Sequence, residues 1–352
     1  MTTIVVGSFL ISIFAAYILW REAFTVVLAV GGLVGALVIL YEVRLTKRIA
    51  QAEFIRDLND GFTTNASIDE LWRKLLLGEE VTGADRHLVS TYLTFFETVQ
   101  LLLNRGVIDF TLIDNLFRNR FFTAIGNPGV QSTALIRDGG SFYNIHVLIR
   151  SWREHLRSAG VRLPEGYYSY VRATAAFRGY ALEPLEPLHL DEVMGLQAEV
   201  MAGLGHASWL RENNAEMFEA CLAEHDVIGA WKDDRLVGAA ILYHPGAGPE
   251  SIKKYVSTND SEITEAVNLK LVLVAPSEQR SALGSSLVEL LEQRALALGK
   301  REILCTVHPA NRPSHALFSG LGYQRQGRVT TSYGVRDVLA RVLPKPTQSW
   351  VA

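Results

Sequence analysis

Residues 267–286 read VNLKLVLVAPSEQRSALGSS, and this stretch decides the fold. Leucine and valine dominate 267–274, which predicts a buried strand. Small side chains follow between Ser281 and Ser286, and apolar residues at helical spacing from Leu287 to Leu298 predict a helix after them. A helix N-terminus offers free backbone N–H groups backed by the helix dipole, and small side chains let an anion approach them. The stretch therefore predicts an anion-binding turn between a strand and a helix.

Helices and strands alternate around this turn, as in an α/β domain. Strands are predicted at 227–232 and 235–243, joined by the turn Asp233-Asp234, and a further strand at 302–307. Helical spacing covers 190–204 and 208–224. The block from Asn311 to Tyr323, NRPSHALFSGLGY, predicts another helix that ends in a turn.

Two of these blocks resemble one family. The segment from Gln279 to Gly284, QRSALG, resembles the Q/R-x-x-G-x-G/A coenzyme A loop of the GNAT N-acetyltransferase superfamily, and the block 311–323 resembles its N-x-x-A-x-x-L-Y-x-x-x-G-F helix and turn. The resemblance covers 180–343. It implies a mixed α/β sheet flanked by helices and an acyltransferase that uses acetyl-CoA as cosubstrate without a metal.

The resemblance also implies where the coenzyme lies. The pantetheine arm would run between the strands 267–274 and 302–307, with the pyrophosphate on the turn, and an uncharged amine would attack the thioester directly. The implied coenzyme-binding residues are Val272, Leu273, Val274, Gln279, Arg280, Ser281, Ala282, Leu283, Gly284, Ser285, Asn311, Ser314 and Phe318.

The chain departs from the family pattern at three positions. Ala282 replaces the first loop glycine, which is tolerable if the backbone there keeps a negative φ. Phe318 stands where many members carry a tyrosine acid, and Asn268 where some project a glutamate base; neither side chain can exchange a proton at neutral pH.

Three residues are candidates to replace the missing groups. His308 is of the residue type that most often serves as a general base, although it could instead cap the turn before Pro309. Glu265 could reach the cleft edge or remain a solvated carboxylate. Cys305 is expected to be a packing residue, with an acyl-accepting nucleophile as the alternative.

The N-terminus carries two apolar runs that predict transmembrane helices at 4–20 and 23–41, an anchor over 1–42. A turn at Arg21-Glu22 would make them a hairpin, and Arg44, Lys47 and Arg48 would mark the cytoplasmic side of the inner membrane. The alternative is one span over 23–41 with an interfacial first helix. The pair Gly31 and Gly35 would let helices approach closely, within the hairpin or in a homodimer.

Between the anchor and the α/β domain, 43–165 shows helical spacing broken by turn signals and is expected to form an all-α spacer or docking region. With the anchor, it resembles uncharacterised bacterial membrane-anchored helical domains. Residues 166–179 are expected to form a linker, and 344–352 a tail.

Composition limits the function. With 34 Lys and Arg against 37 Asp and Glu, the net charge of -3 excludes a broad attraction to nucleic acid. The two cysteines, Cys221 and Cys305, are too few for a thiolate metal site.

Taken together, the motifs and the apolar runs predict a multi-domain, membrane-tethered N-acetyltransferase that faces the cytoplasm and acetylates an amine, such as a membrane-associated one. The alternatives are a non-catalytic acyl-CoA sensor and a membrane scaffold with a degenerate C-terminal fold.

Overall fold

The structure is a computed structural model, and it describes residues 2–137 and 140–344. For 2–15, 19, 22, 24, 26–32, 35 and 48 it describes the backbone alone. Gly31 and Gly35 thus fall among the residues whose side-chain environment is not described, and all but the first residue of the predicted tail lies outside the described residues.

The N-terminal half is helical. Its elements are α1 (Thr2–Thr64), α2 (Ala66–Leu77), α3 (Arg86–Asn104), α4 (Phe110–Gly126), the single turn α5 (Pro128–Val130) with the π-helical turn Gln131–Leu135, α6 (Tyr143–Ser158) and α7 (Glu165–Phe177). Fully buried aromatic rings, among them Phe62, Tyr92, Phe96 and Phe117, form the core where the last turns of α1 meet α2, α3 and α4.

The C-terminal half alternates strands and helices. Its elements are β1 (Ala181–Pro184), α8 (Leu190–Ala202), α9 (Ala215–Glu224), β2 (Asp226–Lys232), β3 (Arg235–Tyr243), α10 (Asp260–Glu265), β4 (Ala266–Val274), α11 (Leu283–Ala297), β5 (Glu302–Val307), α12 (Arg312–Gly320), β6 (Gln324–Thr331) and β7 (Gly334–Val342). The strands form one sheet in the order β1-β2-β3-β4-β5-β7-β6. Neighbouring strands are antiparallel except β4 and β5, which are parallel.

The predicted transmembrane hairpin is wrong. Helix α1 runs without interruption through Arg21 and Glu22, where a turn was expected. Both residues favour helix, and the Thr25 hydroxyl donates to the Arg21 carbonyl oxygen 2.9 Å away within the same helix. Among the residues that the structure describes, no helix is both long and apolar enough to cross a bilayer, which also overturns the single-span alternative. Contact with a bilayer and location at the inner membrane stay predictions.

The stretch expected to be a linker is largely helix α7. Tyr167, Tyr168 and Val171 are buried in the helical core, while Ala175, near the end of the same helix, belongs to the core of the sheet. Both cores therefore meet on α7, and the helical region packs directly against the sheet domain.

Candidate active site

A slot opens between β4 and β5 because the two strands pair only at their first residues. The register runs through Ala266↔Glu302, Val267↔Ile303 and Asn268↔Leu304 and then stops. On their outer edges both strands stay paired, β4 with β3 as far as Val274 and β5 with β7 as far as Val307. The inner edges beyond Asn268 and Leu304 thus face a space instead of each other.

This space is a cleft of about 810 Å³. Of the thirteen residues implied for coenzyme binding, all but Ser281 line it: Val272, Leu273, Val274, Gln279, Arg280, Ala282, Leu283, Gly284, Ser285, Asn311, Ser314 and Phe318. Cleft volume and lining suit a long, narrow ligand with an anionic end.

The turn before α11 presents unused N–H groups to this cleft. Helix α11 has no side-chain cap, and over the described residues the N–H groups of Ala282, Gly284 and Ser285 have no protein acceptor. Arg280 lies beside them, exposed and in no ion pair with any described residue. The helix dipole and this cation make the end of the cleft favourable for an anion.

The backbone of the turn differs from what the sequence suggested. Arg280 and Ala282 both have positive φ, 63° and 65°. The condition under which an alanine is easily tolerated here, a negative φ, is therefore not met: Ala282 adopts the left-handed conformation that favours glycine. A non-glycine residue in this region costs about 1–2 kcal/mol, which the surrounding turn must offset.

Hydrogen bonds from outside the turn hold it in this shape. The Ser281 hydroxyl donates to the Glu278 carbonyl oxygen at 2.6 Å, and an Arg178 guanidinium N–H donates to the Ser281 carbonyl oxygen. The Glu278 carboxylate, which lines the cleft, accepts from Tyr180 and pairs with Lys232 at 3.0 Å. The Tyr180 hydroxyl and the Lys232 ammonium lower the pKa of Glu278. Its negative charge is thus balanced before an anion arrives.

Asn311 stands on the opposite wall, at the start of α12. Its Oδ1 accepts from the Ser314 N–H at 3.1 Å, which fixes the side chain and leaves the Nδ2 donor available to the cleft. Phe318 is buried one helical turn after Ser314 and packs edge-to-face on Tyr323, with ring centroids 5.1 Å apart.

Asn268 has a structural role. Its Oδ1 accepts from the Ile252 N–H at 3.2 Å and its Nδ2 donates to the Glu250 carbonyl oxygen at 2.8 Å. The buried amide thus ties the loop before α10 to the closed end of the slot.

The two candidate bases lie outside the cleft lining. Glu265 is exposed and precedes β4, and the part of that strand that lines the cleft begins four residues later, at Leu269, about 13 Å away at strand rise. The His308 ring accepts from the Ala310 N–H at 3.1 Å through Nδ1, which is the turn-capping arrangement. Cys305 does line the cleft, but burial raises the pKa of its thiol, so it stays protonated.

Sequence reasoning missed the wall formed by the loop after α8. Gly203, Leu204, Gly205, Trp209 and Leu210 all line the cleft. No motif marked them, because they reach the slot only through the packing of α8 on β3 and β4. Over the described residues, no group of three or more His, Cys, Asp or Glu side chains is arranged to hold a metal ion.

Comparison with known proteins agrees with this architecture. Residues 192–323 match the model of the acetyltransferase (GNAT) family, so the C-terminal part of the chain is a GNAT acetyltransferase domain, as the two motifs predicted. The expected enzyme class, an acyltransferase, is confirmed for this domain. No curated protein matches the chain significantly.

Several solved structures resemble the same half of the chain. The ribosomal-protein-S18-alanine N-acetyltransferase from Escherichia coli is 17% identical, with a TM-score of 0.36 over 49% of this chain and 98% of its own. The PaiA N-acetyltransferase from Thermoplasma acidophilum, in complex with coenzyme A, is 16% identical, with a TM-score of 0.35 over 46% and 98%. A putative acetyltransferase from Acinetobacter baylyi is 16% identical, with a TM-score of 0.39 over 47% and 93%. Sequence identities and TM-scores this low give no information about the acceptor substrate.

Proposed function

We propose that the chain is an N-acetyltransferase that transfers the acetyl group of acetyl-CoA to an amine. The observation that carries the proposal is the combination of an unpaired slot between β4 and β5 with an uncapped turn at its end. A slot of this kind takes the pantetheine arm as an extra strand-like partner, and the turn takes the pyrophosphate on backbone N–H groups.

The residues of the cleft then have distinct roles. The N–H groups of Ala282, Gly284 and Ser285 bind the pyrophosphate, and Arg280 neutralises its charge. Val272 to Val274 present free backbone groups of β4 to the pantetheine arm, and the Asn311 amide donates to it from the other wall.

The transfer step needs little from protein side chains. The neutral amine nitrogen forms a bond to the thioester carbon, the C–S bond breaks, and the thiolate takes up the proton that the nitrogen releases, with water carrying it. A backbone N–H near Val274 would stabilise the negative charge that develops on the carbonyl oxygen. Alignment of the two reactants in a closed slot supplies much of the acceleration, so the reaction proceeds without the family's tyrosine and glutamate, more slowly than with them.

Phe318 and Asn268 favour a second candidate, an acyl-CoA sensor that binds but does not react. Calorimetric titration with acetyl-CoA, combined with a free-thiol assay over a panel of amines, separates the two. We expect binding and amine-dependent thiol release. Binding without release for every amine would favour the sensor, and no binding would overturn both.

A matched pair of variants tests the assigned turn. Gly284→Glu places a carboxylate beside the pyrophosphate, and its β-carbon fits, since the nearest atom, Val274 Cγ2, would be 3.5 Å away. Gly195→Glu makes the same change on an exposed helical position with no atom within 4 Å. We expect Gly284→Glu to abolish acetyl-CoA binding and Gly195→Glu to retain it; equal affinity in the two variants would contradict the assignment.

A further inference from the structure

A pair of arginines without a counter-ion lies beside residues that line the cleft. Arg336, on β7, is 3% exposed, and its guanidinium donates only to the carbonyl oxygens of Val335 and Ser208, each at 2.9 Å. Arg211 is exposed on the loop after α8. Among the described residues, no carboxylate pairs with either of them.

Tyr333 joins the two arginines to the cleft. The Arg211 and Arg336 guanidinium carbons lie 5.1 and 4.9 Å from the centre of its ring. Its hydroxyl lies 3.1 Å from the hydroxyl of Thr306, which lines the cleft. Ser208, which accepts from Arg336, directly precedes the cleft-lining Trp209. The arginines therefore border the wall formed by the 203–210 loop and β5.

The carboxylates next to the two arginines in the sequence do not pair with them. Asp337 follows Arg336 on β7, but it pairs with Arg325 and Arg328 on the other face of the sheet. Glu212 directly follows Arg211, but among the described residues no ion pair joins its carboxylate to either arginine. The charge of Arg336 is consequently buried against two carbonyl groups and the Tyr333 ring, all of them neutral.

A buried cation without a counter-ion is unfavourable by itself. Two hydrogen bonds to carbonyl groups replace part of the hydration that it loses on burial, but they do not neutralise its charge. Burial also lowers the pKa of Arg336, which reflects the same uncompensated desolvation. A planar guanidinium at the edge of a cleft is well suited to bind a carboxylate through two N–H groups.

We propose that Arg336 and Arg211 form the acceptor subsite and that the acceptor is an amine carrying a carboxylate. This inference rests on the proposed function and adds the substrate class to it. The carboxylate binds between the two guanidinium groups beside Tyr333, and the amine of the same molecule points along Thr306 towards the thioester.

The test compares acceptors that differ only in charge. The full chain is given acetyl-CoA with two matched sets, in each of which only the first member carries a carboxylate: alanine and alaninamide, and the tripeptide amides Ala-Glu-Ala and Ala-Gln-Ala. We expect kcat/KM to be about tenfold to a hundredfold higher for the acidic member of at least one set, the range of a charge-assisted hydrogen bond. Equal values, or a preference for the neutral members in both sets, would overturn the proposal.

Variants test whether Arg211 and Arg336 cause the preference for acidic acceptors. Arg211→Gln, at an exposed position, and Arg336→Met are each expected to lower the acidic-to-neutral ratio about tenfold, and Arg336→Lys to retain part of it. Arg105→Gln, on an exposed loop of the helical region, is the matched control and should leave the ratio unchanged. Acetyl-CoA affinity reports whether each variant is folded. A ratio that survives Arg211→Gln and a folded Arg336 variant would overturn the assignment.

A binding measurement separates failure of this inference from failure of the proposed function. If no amine is acetylated although acetyl-CoA binds, catalysis is refuted, and the same four probes are titrated by calorimetry against the coenzyme-bound protein. Tighter binding of an acidic member, lost in Arg211→Gln, would still support the subsite. Absence of any charge preference in binding would refute it as well.

Discussion

Ala282 shows how one side chain can disguise a backbone conformation. Alanine is the residue type that most favours a right-handed helix, yet Ala282 has a φ of 65° at the N-terminus of α11. The position is held by its neighbours, because Ser281 is bonded on one side to Glu278 and on the other to Arg178. The sequence predicted a turn between β4 and α11 at this place, whereas the sign of φ depends on contacts that no local pattern contains.

A glycine at this position should stabilise the protein. Ala282→Gly removes a left-handed strain of about 1–2 kcal/mol and loses part of that gain to the more flexible unfolded chain. We expect the free energy of unfolding to rise by about 0.5–1 kcal/mol in urea titrations. The control Ala198→Gly, at an exposed position inside α8, should lower it by a similar amount. A loss of stability in both variants would contradict the strained conformation.

Asp337 should make the protein sensitive to acid. The Arg328 hydrogen bond, with further attraction from Arg325 and His315, lowers the pKa of Asp337 from its usual 3.8. A group with a lowered pKa contributes stability above its unfolded value, and this contribution is lost as the pH falls through the folded value.

Asp337→Asn removes that dependence. In urea titrations at pH 7, 4 and 3, the variant should be less stable than the wild type at pH 7 and should lose less stability between pH 4 and pH 3. Asp191→Asn, at an exposed position, serves as the control. If Asp337→Asn lost as much stability between pH 4 and pH 3 as the wild type does, Asp337 would not be the cause of the acid sensitivity.

At the scale of elements, the positions of the strands were easier to predict than the gap between β4 and β5. Alternation and β-branched residues indicated β3, β4 and β5 nearly to the residue, and Asp233 and Asp234 form the expected hairpin turn with φ of 50° and 57°. The slot itself depends on where the β4–β5 pairing stops, which only the resemblance implied. Helix α1 gave the opposite result, since apolar composition suggested two spans where one continuous helix lies.

Helices α4 and α7 touch through glycines. A β-carbon on Gly166 would lie 1.9 Å from the Phe122 carbonyl oxygen, and one on Gly126 would lie 2.5 Å from the Gly166 α-carbon. The backbones are therefore in direct contact, and α7 connects to the helical core along this seam.

Gly166→Ala should separate the two helices. The added methyl group overlaps a backbone atom that cannot rotate away, so we expect a loss of about 1–3 kcal/mol in the free energy of unfolding. The same change at the exposed, open Gly195 should be neutral or stabilising by up to about 1 kcal/mol. Calorimetric melting of both variants measures the difference; similar melting temperatures would rule out the close contact.

At the scale of the molecule, a buried ion network joins the helical region to α11. Arg157 on α6 pairs with Glu289 and Glu292 on α11, each at 3.0 Å, and donates to the Leu321 carbonyl oxygen. Arg153 and Tyr167 also donate to Glu289, and Arg341 pairs with Glu292. The helical region therefore packs against and supports α11, the helix that follows the 279–285 turn.

Breaking this network should cost more than breaking a surface pair. Arg157→Met leaves two buried carboxylates short of a partner, and we expect it to lower the free energy of unfolding by about 3–5 kcal/mol. Arg172→Met, which breaks the exposed pair with Glu165, should cost no more than about 1 kcal/mol. Equal midpoints in urea titrations of the two variants would contradict the role of the network.

The docking of the two halves could not be predicted from the sequence. Arg157 and Glu289 are 132 positions apart, and each reads locally as a charged residue on an amphipathic helix. Charged residues in such patterns usually face solvent, so burial of both becomes visible only when α6, α7 and α11 are packed together.

The central claim is that the β4–β5 slot and the 279–285 turn bind acetyl-CoA. Its most direct test is a crystal structure of the full chain with coenzyme A. We expect pyrophosphate oxygens within hydrogen-bond distance of the Gly284 and Ser285 N–H groups, and the pantetheine arm between Val272–Val274 and Asn311. A coenzyme bound elsewhere, or a slot that stays empty at saturating coenzyme, would contradict the claim.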